Sequence, residues 1–506
     1  MTIGDDGAPH AAPTAAGLAE THTAVLFFVG DRAYKIKKPV RFPFLDFSTR
    51  QLREQACHRE VQLNRRIAAD VYLGVATLSE PDRPEEPAEH AVVMRRMPEE
   101  RSLAALVTAH DPSVLDHLRD IARVVAAFHA KAERGSSVTF AVQHEAVLRR
   151  WRTNFDEVAA YAGAELPVFD GALLERAYGL VEEFVAGRTD LFSHRAHAGF
   201  ACDGHGDLQA ADIYCLDDGP RILDCVEFDD QLRYVDVADD VAFLMMDLER
   251  LGSLEASAHL ARSYAEFAGH PLPVGLVHHY VAYRALVRAK VSAVRWQQER
   301  ESGDTSAAQA LSGARQLLDL CVDHLERARV RLVLVGGLPG SGKTTLAETI
   351  GARRGWTVLR SDVLRKQMAG LESTTPAAAA FRTGLYEPSV TDAVYAELVQ
   401  EASRLLRMGE SVIVDASWAA DHHRELARQL ASADRARVIQ LQCEVDIETA
   451  RSRLRSRAEG DGANASDATP EIAGRMAQMR DAWPEAARVR TDRPAGELAA
   501  ELDGHL

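Results

Sequence analysis

The apolar runs near the start of the chain are short and paired. Residues 24–29, AVLFFV, lead into Gly30-Asp31-Arg32 and then AYKIKK, a pattern that predicts strand, tight turn and strand. Leu52, Cys57, Val61, Leu63 and Ile67 recur near helical spacing, so residues 49–69 are expected to be helical. PDRPEEPAE, 81–89, reads as a surface turn, and HAVVMRRM, 90–97, as a strand ended by Pro98. From about residue 101 to 200, Ala and Leu carry helical faces; IYCL and RILDCV then predict two short strands within 203–228. Helices resume over 236–328, with a polar break at ESGDTS, 301–306. A different pattern opens at RLVLVGG, 331–337. The runs WTVLR (356–360), SVIVDA (411–416) and RVIQLQC (437–443) alternate with helical stretches, as strands of a parallel sheet covered on both faces do. EGDGANASDATPE, 459–471, reads as a mobile lid or loop, and TTPAAAA, 374–380, is alanine-biased but too short to be low-complexity. No internal repeat is present.

Composition narrows the class. A chain of 506 residues exceeds one hydrophobic core, so two to four domains are expected. Apolar content of 46% and charged content of 26% are those of a globular protein. The net charge of −16 argues against sequence-independent nucleic-acid binding, which needs a basic face, but leaves room for a local phosphate pocket. The Trp and Tyr residues form no stacking pattern for bases. Six scattered cysteines without a CxxC suggest reduced, buried thiols and a cytoplasmic location. The first residues have no basic start followed by an apolar run, so no signal peptide is expected; no 18-residue apolar stretch occurs, so no membrane span is expected.

GLPGSGKTT, 337–345, matches the phosphate-loop pattern in full, after an apolar strand and before a helical run. Gly337, Gly340, Ser341, Gly342, Lys343, Thr344 and Thr345 are its nucleotide-binding candidates. Backbone N–H groups at a helix N-terminus cradle phosphate oxygens, Lys343 neutralises them, and the Thr344 hydroxyl holds Mg²⁺. Asp362, after the next strand, is placed to take a proton from an acceptor hydroxyl, with a helix N-cap as the alternative. Asp415 ends a further strand at the site edge. These features resemble small P-loop kinases such as gluconate kinase, polynucleotide kinase and zeta-toxin-like proteins, over residues 330–506. The resemblance implies Asp362 as base and Arg365 as an acceptor or phosphate contact, with Asp415 on the substrate side. It also implies Arg453 and Arg457 as lid arginines, although a solvated helix face is the alternative for that pair.

The first half carries a second phosphate chemistry. HGD at 205–207, Asp212 five residues after Asp207, and Leu223-Asp224 resemble the catalytic region of aminoglycoside phosphotransferases, with the similarity extending through RYVDVADDVAFL, 233–244. The resemblance covers roughly residues 20–300. It implies Asp207 as the base and Asp212 and Asp224 as Mg²⁺ ligands, with Glu227 second to Asp224, and Asp236 as structural. Strand parity puts Lys35 and Lys37 on one face, and either could be the ATP-phosphate lysine; Glu60, on the following helix, is where such a lysine would find its ion-pair partner, although a solvated basic strand edge and an exposed helix glutamate are the alternative. Two departures stand out. GLAETHTAVLF has one glycine and no GxGxxG, and Asp212 replaces the usual Asn. Either residue type offers Mg²⁺ a hard oxygen.

The expected architecture is multidomain, α+β then α/β: a protein-kinase-like phosphotransferase fold followed by a P-loop parallel-sheet domain. The boundaries read as a tail over 1–19, a first domain over 20–305, a connecting helix over 306–329 and a second domain over 330–506. The expected function is ATP- and Mg²⁺-dependent phosphoryl transfer to a small-molecule hydroxyl. The alternative is a ligand-sensing pseudokinase half that regulates an active P-loop half. Neither the acceptor nor the oligomeric state is set by these patterns. His278-His279 and His422-His423 have no evident ligand partners in sequence.

Overall fold

In the computed structural model, described over residues 17–21, 23–42, 45–80, 83–372, 375, 383–459 and 469–506, the chain forms two compact units. The first comprises 1–146, 195–272 and 280–320; the second comprises 147–194, 273–279 and 321–506. The helical stretch 147–194, expected within the first domain, therefore groups with the second. Its apolar periodicity announces a buried face without naming the surface that buries it. Here Arg188 donates to the Asp434 carbonyl at 2.7 Å, and Gly187 lies so close to that carbonyl that a Cβ would sit 2.5 Å from it.

In the first unit, β1 (Gly17–Glu20), β2 (Ala24–Val29), β3 (Arg32–Lys37), β4 (Tyr72–Glu80) and β5 (Arg83–Arg95) form an antiparallel sheet of order β1-β2-β3-β5-β4. The β2–β3 hairpin is as expected. Two expectations change. Residues 17–19 of the expected tail belong to β1, which pairs with β2 from Gly17–Phe28 to Glu20–Val25; residues 1–16 lie outside the described residues. Most of the expected surface turn at 81–89 belongs to β5. Pro87 is tolerated there because it faces Ser79 beside a register shift, where a missing N–H does least harm. Against this sheet lies the helix Arg50–Asn64, its start capped by the Thr49 hydroxyl on Leu52 N at 3.3 Å. Cys57 and Val61 on the helix join Ala33, Tyr72, Val92 and Met94 in one apolar core.

The catalytic-loop region is held by two small ladders. β6 (Ala201–Asp203) pairs with β9 (Tyr234–Asp236), and β7 (Ile213–Leu216) with β8 (Gly219–Ile222). The second strand thus ends at Ile222 rather than running through RILDCV. Asp224 follows with φ of 64°, a left-handed backbone unusual for a residue with a Cβ.

In the second unit, β10 (Arg331–Gly336), β11 (Thr357–Arg360), β12 (Val412–Asp415), β13 (Arg437–Glu444) and β14 (Ala487–Arg490) form a wholly parallel sheet of order β11-β12-β10-β13-β14. β10, central and buried along its whole length, carries the phosphate loop on its C-terminal end. In this sheet β14 alone lies outside the apolar runs that predict strands, because ARVR has a single apolar residue to bury, Val489. All six cysteines are buried free thiols. Among the described residues no helix is long and apolar enough to cross a membrane.

Candidate active site

The first-unit site begins with buried charge. Lys35 and Lys37 do share a face of β3, and both reach Glu60, whose carboxylate is fully buried: Lys35 at 3.0 Å and Lys37 at 2.5 Å. Their second partners separate them. Lys35 meets Asp224 at 2.5 Å, whereas Lys37 pairs with Glu227. Burial works against the Lys35 charge, but Asp224 and Glu60 prevail and hold its pKa well above the usual lysine value. Burial likewise pushes Asp224 up, and Lys35 more than reverses it, so Asp224 titrates below an ordinary carboxyl. Glu227 goes the other way: burial raises it, against the pull of Lys37.

The His205-Gly206-Asp207 turn is clamped from beneath by Asp240, a residue the motif reading passed over. The buried Asp240 carboxylate accepts from His205 N at 2.7 Å and Gly206 N at 2.8 Å, and faces His129 Nε2 at 3.0 Å. Burial opposes its charge, yet His129, His205 and these donors hold it far below the normal carboxyl range. Arg284 completes the clamp, bonding Asp239 at 2.7 Å and the Gly206 carbonyl at 3.1 Å. Asp247 accepts from Ala210 N at 2.9 Å, fixing the far side of the loop. Asp236 pairs with Arg195 and caps the next helix through Ala238 N at 2.8 Å, a structural post. The signal for Asp240 was present in VADDVAFL: two acids inside an apolar helix stretch must find partners or they could not be buried.

Three carboxylates gather above that clamp. Burial raises Asp207 to about 6, with Asp224 adding to the shift and Arg288 and Arg284 opposing it. Asp212 is pushed up further, by burial and then by Asp224 and Asp207. Such an excess of desolvated negative charge fits a divalent cation, and Asp212 and Asp224 are the side chains that would hold it. A metal ligand must be deprotonated, so Mg²⁺ affinity at this site should climb with pH through the range in which Asp212 titrates. In Asp212→Asn that dependence should flatten; an equally steep rise in the variant, followed by calorimetry at several pH values, would count against Asp212 as a ligand.

In the second unit, the loop after β10 turns into the helix Lys343–Arg354, with Gly337 at φ 143° and Gly342 at φ 80°. At Gly337 a Cβ would stand 2.6 Å from both the Cys443 carbonyl and Ser341 Oγ, so the turn closes only with glycine. Thr344 Oγ1 donates to Asp415 Oδ2 at 2.6 Å, while Asp415 Oδ1 and Ser341 Oγ are buried and have no hydrogen-bond partner among the described residues. Burial raises Asp415, against Lys343 and the Thr344 hydroxyl. An orphaned carboxylate oxygen beside a threonine hydroxyl fits Mg²⁺. Asp415, expected on the substrate side, is thus joined to Thr344, the threonine expected to hold Mg²⁺. The reason is register: β12 lies next to β10, with Val335 opposite Asp415.

The remaining candidates divide. Asp362 lies in the first turn of the helix Ser361–Met368, and its charge is felt by Asp415. Arg365, expected to reach acceptor or phosphate, is buried; it donates to the Leu385 carbonyl at 2.7 Å and to Thr391 Oγ1 at 3.3 Å. Arg453 donates to the Thr491 carbonyl at 2.7 Å and the Gly340 carbonyl at 3.4 Å, bracing the phosphate loop from behind. Thr491, unremarked in sequence, adds a 2.6 Å bond to the Ser341 carbonyl. Thr345 is exposed on its helix. The Arg457 side chain, residues 460–468 of the expected lid and all of 374–380 except Pro376's neighbour Thr375 lie outside the described residues.

A buried ion pair between a lysine of an antiparallel sheet and a glutamate of the helix against it, with an HGD turn clamped beside clustered acids, defines a protein-kinase-like phosphotransferase fold. The parallel sheet with its phosphate loop defines a P-loop kinase fold. Residues 332–482 match a family model described as AAA domain. Uncharacterized protein Rv2004c of Mycobacterium tuberculosis is 40% identical over 475 residues, which cover 94% of this chain and 92% of that one. The chain belongs to the family of that mycobacterial protein. Among solved structures, it is similar to a choline/ethanolamine kinase family protein from Mesorhizobium loti (14% identity, 62% of this chain and 92% of that one, TM-score 0.40). It is also similar to the Mycobacterium tuberculosis APS kinase CysC (21% identity, 34% of this chain and 95% of that one, TM-score 0.26).

Proposed function

We propose that the protein is an ATP- and Mg²⁺-dependent phosphotransferase acting on a small-molecule hydroxyl, with a nucleotide site in each half. The observation that carries this for the first half is the chain Glu60–Lys35–Asp224. It joins the lysine that faces phosphate to the acid that faces metal, alongside an Asp207 raised toward the pKa a general base uses near neutrality. Lys37, engaged with Glu60 and Glu227, serves the ion-pair network instead. In the second half, Lys343 meets phosphate, Thr344 and Asp415 hold the metal, and Asp362 is the base. Phosphoryl transfer needs positioning and neutralisation of charge, and both halves supply these groups.

ADP release across a panel of hydroxyl acceptors tests the proposal, using the full chain and two variants, Asp207→Asn and Lys343→Ala. Each variant should lose one acceptor-dependent activity by about 10²–10⁴-fold. If Asp207→Asn leaves every acceptor-dependent rate untouched, the first half is a pseudokinase regulating the second.

A further inference from the structure

Two helices of the second unit, Pro388–Arg407 and Asp421–Ala433, pack against each other beside the turn that follows β12. They bring together residues that sequence left apart. His423 Nε2 lies 2.8 Å from Asp392 Oδ1, and His422 Nε2 lies 3.3 Å from the same oxygen. One potential ligand atom from each of the three residues falls within 4.8 Å of the others. The paired histidines lacked a partner in sequence because Asp392 stands thirty positions upstream, on another helix.

The set is held in place from one side and open on the other. The His423 side chain is 8% exposed, and its ring stacks flat on Tyr395 at 3.9 Å between centroids and 0° between planes. Tyr395 is fixed in turn: its hydroxyl lies 3.0 Å from Ser417 Oγ and accepts from Trp418 N at 3.1 Å. Asp392 and His422 are exposed, 59% and 67%, so an ion could enter from solvent and keep a water. Burial lowers the His423 pKa, which keeps a lone pair available. Two imidazole nitrogens with one carboxylate oxygen suit zinc, nickel or copper, whereas Mg²⁺ and Ca²⁺ prefer oxygen alone.

We infer that Asp392, His422 and His423 form a binding site for a divalent transition-metal ion of the zinc class, distinct from the residues assigned to Mg²⁺. The ion would replace the present imidazole–carboxylate hydrogen bonds, with each neutral imidazole presenting Nε2 and releasing any proton held there to solvent. The site adjoins the nucleotide machinery through few bonds. Beyond Tyr395, the Ser417 carbonyl accepts from Gly337 N at 3.2 Å, so a fixed His423 also fixes the turn against the phosphate loop.

The test uses the full chain stripped by a chelator and then titrated with Zn²⁺ by calorimetry and with Co²⁺ by visible absorption. His422→Ala and Asp392→Asn are the informative variants, since both side chains are exposed and the fold should tolerate the change. The wild type should take up one tight equivalent that either variant loses or binds at least about tenfold more weakly. The visible Co²⁺ bands should fade in the same variants. No tight equivalent in the wild type, or a weakening below tenfold in both variants, overturns the assignment. Comparing stoichiometry between wild type and variants is essential because the chain has 19 histidines.

Discussion

Lys343→Ala should lower ATP turnover by the P-loop half by roughly 10²–10³-fold. The lysine opens the helix Lys343–Arg354 directly after Gly342, and it is the one cation in GLPGSGKTT. The loop's backbone N–H groups carry partial charge only, so no neighbour within the loop can replace a full ammonium. The fold should survive, because the loop is braced by other residues: Thr491 on the Ser341 carbonyl, Arg453 on the Gly340 carbonyl and Thr344 on Asp415. The measurement is ADP release in an Asp207→Asn background, with and without Lys343→Ala, alongside thermal unfolding. Unchanged turnover in the double variant would remove the P-loop half from catalysis.

Lys37→Met should destabilise the first unit by about 3–5 kcal/mol near neutral pH, the usual consequence of leaving a buried charge without its partner. Lys37 is 3% exposed and joins Glu60, itself fully buried, to Glu227. Without it, Lys35 alone faces Glu60, Asp224 and Glu227. The deficit should shrink toward acid for two reasons of the same sign. In the variant, the abandoned carboxyls have raised folded pKa values, so their protonated forms favour folding below those values and that support is lost as pH rises. In the wild type, burial raises Glu60 but Lys35 and Lys37 pull it below normal, so its contribution is present above the unfolded pKa and is lost as pH falls. Urea unfolding at several pH values measures the gap, and Glu227→Gln in the same chain should recover part of it. A gap that stays constant from acid to neutral pH would show that Lys37 acts through packing of its methylene stem alone.

Much of this protein is legible in its residues because the relevant forces are local. AVLFFV-GDR-AYKIKK must be a hairpin, since alternation and a Gly-Asp turn leave little else to form. GLPGSGKTT after a buried strand must cradle an anion, since its glycines allow backbone that other residues resist. The acids at 207, 212 and 224 are grouped by the resemblance of HGD and the residues after it to the aminoglycoside phosphotransferase loop. Even the shared face of Lys35 and Lys37 follows from a period of two along a strand.

Only tertiary structure decided the rest, and in each instance the deciding partner is remote in sequence. Lys35 and Lys37 are alike in β3; they differ because Asp224 meets one and Glu227 the other, nearly two hundred residues away. Asp240 looked like one acid among several until its carboxylate closed on the amides of His205 and Gly206. Asp415, expected on the acceptor side, is hydrogen-bonded to Thr344 because β12, though distant in sequence, lies next to β10 in the sheet. Arg365 carries a charge that any anion could attract, yet packing gave its guanidinium to Leu385 and Thr391. Composition and spacing determine which groups a segment can offer. Which partner takes each group depends on desolvation, because a buried charge is tolerated only where the folded chain brings an opposite charge or a hydrogen-bond donor to it.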